Sequence, residues 1–170
     1  MRRSLAVNKQ QWIDQLGLQA HIEGGYFKRS FASQQFSADP AGDEERLSLT
    51  CIYYMLSDDS PLGYWHRNRS DIVHFFHQGA ALDYYLLQPD GVLSRHVLGS
   101  DAAAGEVLQL AVPGGTWKCT HLSVGEYGLI SEAVVPGFEY ADMELGSVSQ
   151  LSAQFPQHTA LFERYCKPAG

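Results

Sequence analysis

From Tyr26 to Val135 the chain is a succession of short β-branched and aromatic runs, each closed by Gly, Pro, Asp or Ser. Strands are expected at residues 26–31, 47–56, 64–68, 72–77, 82–88, 92–98, 106–112, 116–122 and 127–135. Turn signals such as Pro89-Asp90-Gly91 and Pro136-Gly137 fall between or after them. So many short strands with so little helix between them leave no room for the crossovers of a parallel sheet. They suit an antiparallel sandwich or barrel. Helices are expected only at the ends. One covers 8–18, capped by Asn8, with Trp12, Ile13 and Leu16 on one face and Gly17 as its stop. Another covers 146–155, capped by Ser147 and stopped by Pro156. The apolar tail at 160–166 should dock, and 37–45 reads as an irregular loop, the best candidate for disorder. With no repeat or linker in view, residues 1–170 are read as a single domain.

Polar chemistry concentrates in residues 63–79. This stretch holds His66, His74 and His77, three of the chain's seven histidines, with Asp71, Tyr64, Trp65, Phe75 and Phe76. A second stretch, Val112-Pro-Gly-Gly-Thr-Trp-Lys118, follows it. Alternation along a strand puts Tyr64, His66 and Asn68 on one face, and Ile72, His74 and Phe76 on one face with Val73, Phe75 and His77 opposite. The expected result is a small barrel with a polar cluster in its mouth.

Charged residues are 18% of the chain and the net charge is −7. That argues against nucleic acid and against an anionic membrane as partners, because both need a basic face. No run approaches the roughly 20 apolar residues of a membrane span, and no apolar core of a secretory signal follows Met1-Arg-Arg-Ser-Leu. Cys51, Cys119 and Cys166 show no pairing pattern and are read as reduced thiols in a cytoplasmic protein.

Four pieces in order carry a resemblance: Glu23-Gly-Gly-Tyr-Phe27, His66 through Gly79, Val112-Pro-Gly-Gly-Thr-Trp117, and Val135-Pro-Gly-Phe-Glu-Tyr140 followed by Asp142 and Glu144. The chain resembles the cupin superfamily and, within it, the DUF985 group. The resemblance implies an all-β fold, the cupin-type double-stranded β-helix or jelly roll, with the two short terminal helices outside it. It also implies a pocket inside the barrel and a homodimer. In that superfamily two motif histidines, a glutamate and a final histidine hold a metal. Here His66 matches the first position, Asn68 stands at the second, Ile72 at the glutamate beside Asp71, and Lys118 at the last. One donor of four is retained, so the expectation is no metal and no other cofactor.

The ligand-binding candidates are therefore His66, Asn68, His74, Lys118, Glu139 and Tyr140. Several keep a second reading. His74 is either in the pocket or a hydrogen-bonded core histidine. Lys118, with Thr116 and Thr120, is either inward or on a solvated face. Glu139 and Tyr140 either fold over the pocket or belong to an acidic loop, and Glu23 is equally open. Trp65 and Trp117 are read as core or interface. The first functional expectation is a small organic ligand bound without metal between aromatics and a few polar groups. The alternative is a metal-independent isomerase or epimerase on a carbohydrate-like or small acid substrate. The resemblance offers a precedent in metal-free sugar-nucleotide epimerases, with His66 as general base, Tyr140 as general acid and Lys118 beside an enolate. A metal-dependent cupin enzyme is the third. Geometry separates the first two, because proton transfer requires His66 within reach of a carboxylate or a facing acid.

Overall fold

The structure, a computed structural model, describes residues 7–38 and 45–168. Strands β1 (Gln19–Ala20), β2 (Tyr26–Ala32), β3 (Phe36–Ala38), β4 (Glu45–Leu47), β5 (Thr50–Ser57), β6 (Leu62–Asn68) and β7 (Asp71–Gly79) form the first half of the barrel. Strands β8 (Leu82–Leu87), β9 (Leu93–Leu98), β10 (Gln109–Val112), β11 (Trp117–His121), β12 (Tyr127–Val135) and β13 (Met143–Leu145) form the rest. They pair antiparallel in two main sheets, ordered β1-β2-β5-β12-β7-β10 and β13-β6-β11-β8-β9, with β3-β4 as a separate ribbon. This is the expected jelly roll.

The main core lies between the sheets. Tyr54, Leu56, Ile130, Leu110 and Val112 of the first meet Leu82, Tyr84, Leu86 and Leu98 of the second. Helix α1 (Lys9–Leu16) packs outside, Trp12, Ile13 and Leu16 covering Met55, Tyr127 and Leu129. Its start is a reciprocal cap: Gln11 N donates to the Asn8 side chain, and Asn8 N donates to the Gln11 side chain. Helices α2 (Val148–Gln154) and α3 (Thr159–Tyr165) cover the other face of the second sheet. Leu151, Phe155, Phe162 and Tyr165 bury Trp65, Leu87, Trp117 and Cys119 there. The docked tail is thus a helix, and both tryptophans are core.

That cover settles the phase of β11. Trp117 and Cys119 face the helices, and Thr116, Lys118 and Thr120 are buried against the interior at 2%, 3% and 4% exposure. The solvated-face reading of Lys118 is excluded, because both faces of the strand are covered. The expected strand at 47–56 begins later, at Thr50, because Leu47 pairs with Phe36 in the ribbon. Ser37 and Glu45, expected in a loop, also pair within that ribbon, while 39–44 lie outside the described residues. Among the described residues no helix is long and apolar enough to cross a membrane.

Candidate functional site

A small pocket opens between the two sheets. Its polar lining is His21 and Glu23 from the β1–β2 loop, His66 and Asn68 of β6, Lys118 of β11 and Glu132 of β12. Its apolar lining is Phe27, Ile52, Ile72, Val134 and Phe138. Two cross-strand pairs supply the centre. Lys118 stands directly opposite His66 in the β11–β6 ladder, and Glu132 directly opposite His74 in the β12–β7 ladder.

Glu23 is delivered by a tight loop. His21 N donates to Gly25 O at 2.9 Å and Gly24 N to His21 O at 3.1 Å. The loop is tied to both sheets: Tyr64 N donates to Glu23 O at 2.7 Å, and Tyr54 OH to Gly24 O at 2.9 Å. Gly24 has φ +92°, and a Cβ there would lie 2.0 Å from Leu62 O, so only glycine lets the loop approach β6 this closely.

Hydrogen bonds determine where the protons sit. His66 Nδ1–H donates to Tyr64 O at 2.7 Å, so Nε2 of the neutral ring carries the lone pair. His21 Nδ1 accepts from Glu23 N at 3.1 Å and so also presents a lone pair. Glu23 Oε2 lies 3.2 Å from His66 Nε2 and 3.5 Å from His21 Nδ1. An ionised carboxylate would face two lone pairs; a protonated one donates to His66. Burial drives both groups toward that neutral state. It raises the Glu23 carboxyl, and, with the Lys118 charge second, lowers His66 to about 3.

The facing pair is charged. Lys118 Nζ donates to His74 Nε2 at 3.2 Å, and His74 Nδ1 is 3.2 Å from Glu132 Oε1. Lys118 Nζ lies 3.8 Å from Glu132 Oε2. Burial would raise Glu132, but the Lys118 charge and the His74 contact overcome it and hold the carboxyl far below its usual range. Burial, then Lys118, brings His74 down to about 4.

His66, Asn68, Ile72 and Lys118, the four positions matching metal ligands in the motifs, thus all line one pocket. Their donor set does not suit a metal. Ile72 is hydrocarbon, Asn68 Oδ1 accepts from Ser70 N at 3.3 Å, and the Lys118 ammonium already supplies a cation anchored by His74 and Glu132. Asp71 does not compensate, because its Oδ1 accepts from Gly114 N at 2.8 Å. Among the described residues no three imidazole, thiolate or carboxylate groups are arranged to hold an ion. The combined variant Asn68→His, Ile72→Glu, Lys118→His is expected to acquire about one zinc per chain that the parent lacks. Elemental analysis of both after dialysis checks this. A parent carrying near-stoichiometric metal, or a folded variant carrying none, would refute it.

His74 is fully buried and touches the site through Lys118 and Glu132 rather than lining it. Glu139 is exposed and Tyr140 is 57% exposed at the short turn Tyr140–Asp142. Tyr140 packs on Phe138, and it is Phe138 that reaches the pocket. His77 is exposed. The acid facing His66 in the pocket is Glu23 rather than Tyr140. Glu132 was legible in principle: it is the only charge in Tyr-Gly-Leu-Ile-Ser-Glu-Ala-Val-Val, on the same alternation as Ile130 and Val134. His21 carries no comparable signal.

The family model described as Cupin superfamily (DUF985) matches residues 10–146. The chain is 39% identical over 146 residues to the uncharacterized protein YML079W of Saccharomyces cerevisiae, covering 78% of this chain and 72% of that one. A hypothetical protein from Leishmania major superposes with TM-score 0.90 at 29% identity, covering 95% of this chain and all of the other. Protein SO0799 from Shewanella oneidensis superposes with TM-score 0.87 at 33% identity, covering 96% and 99%.

Proposed function

The chain belongs to the DUF985 family of the cupin superfamily, and from that premise we propose that its pocket binds a small organic molecule and moves a proton on it without a metal. The reaction class is proton abstraction and return at a carbon beside a carbonyl, the chemistry of an isomerase or epimerase. The Glu23–His66 contact at 3.2 Å carries this reading. It is a protonated acid against a base in a water-poor site, the arrangement that proton transfer requires.

In the reaction the second oxygen of Glu23 takes the carbon-bound proton as the proton on Oε2 passes to His66 Nε2, so the pair becomes cationic. The electrons left on the substrate form an enolate, and its oxygen is stabilised by the Lys118 ammonium. Returning the proton to the same or the neighbouring carbon restores both partners. His66 keeps the role the sequence suggests, with Glu23 in place of Tyr140.

Binding without turnover is the second reading, favoured by the apolar half of the wall: Phe27, Ile52, Ile72, Val134 and Phe138. Solvent exchange separates the two. Small keto sugars and keto acids are incubated with the protein in deuterium oxide and followed by proton NMR. The expected result is faster loss of an α-proton signal for at least one compound. Glu23→Gln, which keeps the volume but cannot relay a proton, should slow that exchange about 10²–10⁴-fold. A compound that binds yet exchanges no faster than in buffer leaves the protein a binder.

A further inference from the structure

The hydrogen-bond inventory of the pocket is unbalanced. Lys118 has three N–H groups; one meets His74 Nε2, and Glu132 Oε2 at 3.8 Å is an ion-pair contact beyond hydrogen-bond length. Asn68 uses its Oδ1 on Ser70 N, which fixes the amide orientation and leaves both Nδ2 protons without a partner among the described residues. His21 uses Nδ1 as acceptor for Glu23 N, so its proton is on Nε2, also without a partner among the described residues. All three side chains line the same space, and all are more than nine-tenths buried: Lys118 and Asn68 are 3% and 6% exposed as residues, and the His21 side chain 5%.

Two of the acceptor atoms are already engaged. Glu132 Oε1 faces His74 and its charge is answered by Lys118. His66 Nε2 takes the Glu23 proton, and His66 Nδ1–H is spent on Tyr64 O. Buried donors left without acceptors are costly, so a fitting ligand brings oxygens rather than N–H groups. A carboxylate with an adjacent oxygen offers three acceptor atoms in one plane, and its charge suits the ammonium. The opposite wall, Phe27, Ile52, Val134 and Phe138, accepts a short hydrocarbon remainder, and the small volume excludes a nucleotide-sized molecule.

We infer that the ligand is a small 2-oxo or 2-hydroxy monocarboxylic acid, its carboxylate held by Lys118 and its remaining oxygens by Asn68 and His21. This deepens the reading above by using its pocket, and it is independent of whether a proton is moved.

The test is calorimetric titration of the protein with 2-oxobutyrate, lactate and the corresponding amides. The acids should bind, and the amides about tenfold or more weakly. Asn68→Asp is nearly isosteric, keeps the acceptor for Ser70 N and adds a negative charge to the pocket. It should weaken acid binding about tenfold or more. Amides binding as well as acids, no acid binding to the parent, or Asn68→Asp binding the acids unchanged would each overturn the inference. Should Asn68→Asp not fold, the acid–amide comparison on the parent protein decides alone. Acid binding without α-deuterium exchange removes the proton-transfer reading and keeps this one; exchange on a neutral carbonyl compound with no acid bound does the reverse.

Discussion

Replacing Lys118 by Met is expected to destabilise the folded chain by about 3–5 kcal/mol, the usual cost of stranding one member of a buried ion pair. Met matches the length and volume of the lysine stem, so the change isolates the ammonium. Without it, the Glu132 carboxylate keeps, among the described residues, the His74 contact in a site closed by both sheets. Its charge must then be neutralised by proton uptake or left uncompensated. The loss corresponds to a fall in melting temperature of roughly 6–20 °C for a chain of this size. The double variant Lys118→Met, Glu132→Gln removes both charges and keeps a hydrogen-bonding partner for His74, so it should recover most of the loss. Thermal melts of the parent, both single variants and the double variant form the cycle. A Lys118→Met protein as stable as the parent, or a double variant no better than the single, would show that the two charges do not compensate each other.

Stability should also fall steeply on mild acidification. His66 and His74 are held down at about 3 and about 4, by burial first and by Lys118 second. In the unfolded chain both titrate near their ordinary value of about 6.5. Between those limits the unfolded state binds protons that the folded state refuses. Their contribution is therefore complete above about pH 6.5 and is lost progressively as pH falls toward the folded values. At about 1.4 kcal/mol per unit per group, the two histidines together cost roughly 5 kcal/mol by pH 4.5. His21, also lowered by burial, acts in the same direction. Glu132 joins below about pH 4.5, since a depressed carboxyl stabilises above its unfolded value and loses that contribution as pH falls. Glu23 opposes them: its raised carboxyl stabilises at low pH, and that contribution disappears as pH rises through the folded value. Over this range one opposing carboxyl does not reverse three histidines. Urea titrations at pH 7.5, 6, 5 and 4.5 measure the slope, which should approach two protons taken up on unfolding. A flat profile over that range would contradict the neutral burial of His66 and His74.

Period and punctuation in the sequence determined an antiparallel sandwich or barrel, which the family resemblance narrowed to the jelly roll, together with the cap at Asn8, the stop at Gly17 and the second cap at Ser147. Each is a local property: alternation of side chains along a strand, or a donor and an acceptor three residues apart. Alternation determined that His66 and Asn68 share one face, because strand phase sets the face a residue occupies, and the motif resemblance set them at matching positions with Ile72 and Lys118, with Lys118 left open between an inward and a solvated face. Phase does not set which residue stands across the ladder. Only the tertiary structure decided that Lys118 opposes His66 and Glu132 opposes His74, since register arises where strands distant in sequence are brought together. It alone brought Glu23 to His66, through a loop hydrogen-bonded to both sheets. It also exchanged Tyr140 for Phe138 at the pocket wall, because the turn after β12 aims one inward and leaves the other exposed. Protonation was decided at the same level. A lone glutamate or histidine in a sequence carries its ordinary affinity for protons. In the pocket, burial raises the Glu23 carboxyl and, with the nearby ammonium second, lowers His66, while that ammonium and the His74 contact keep the charge on Glu132.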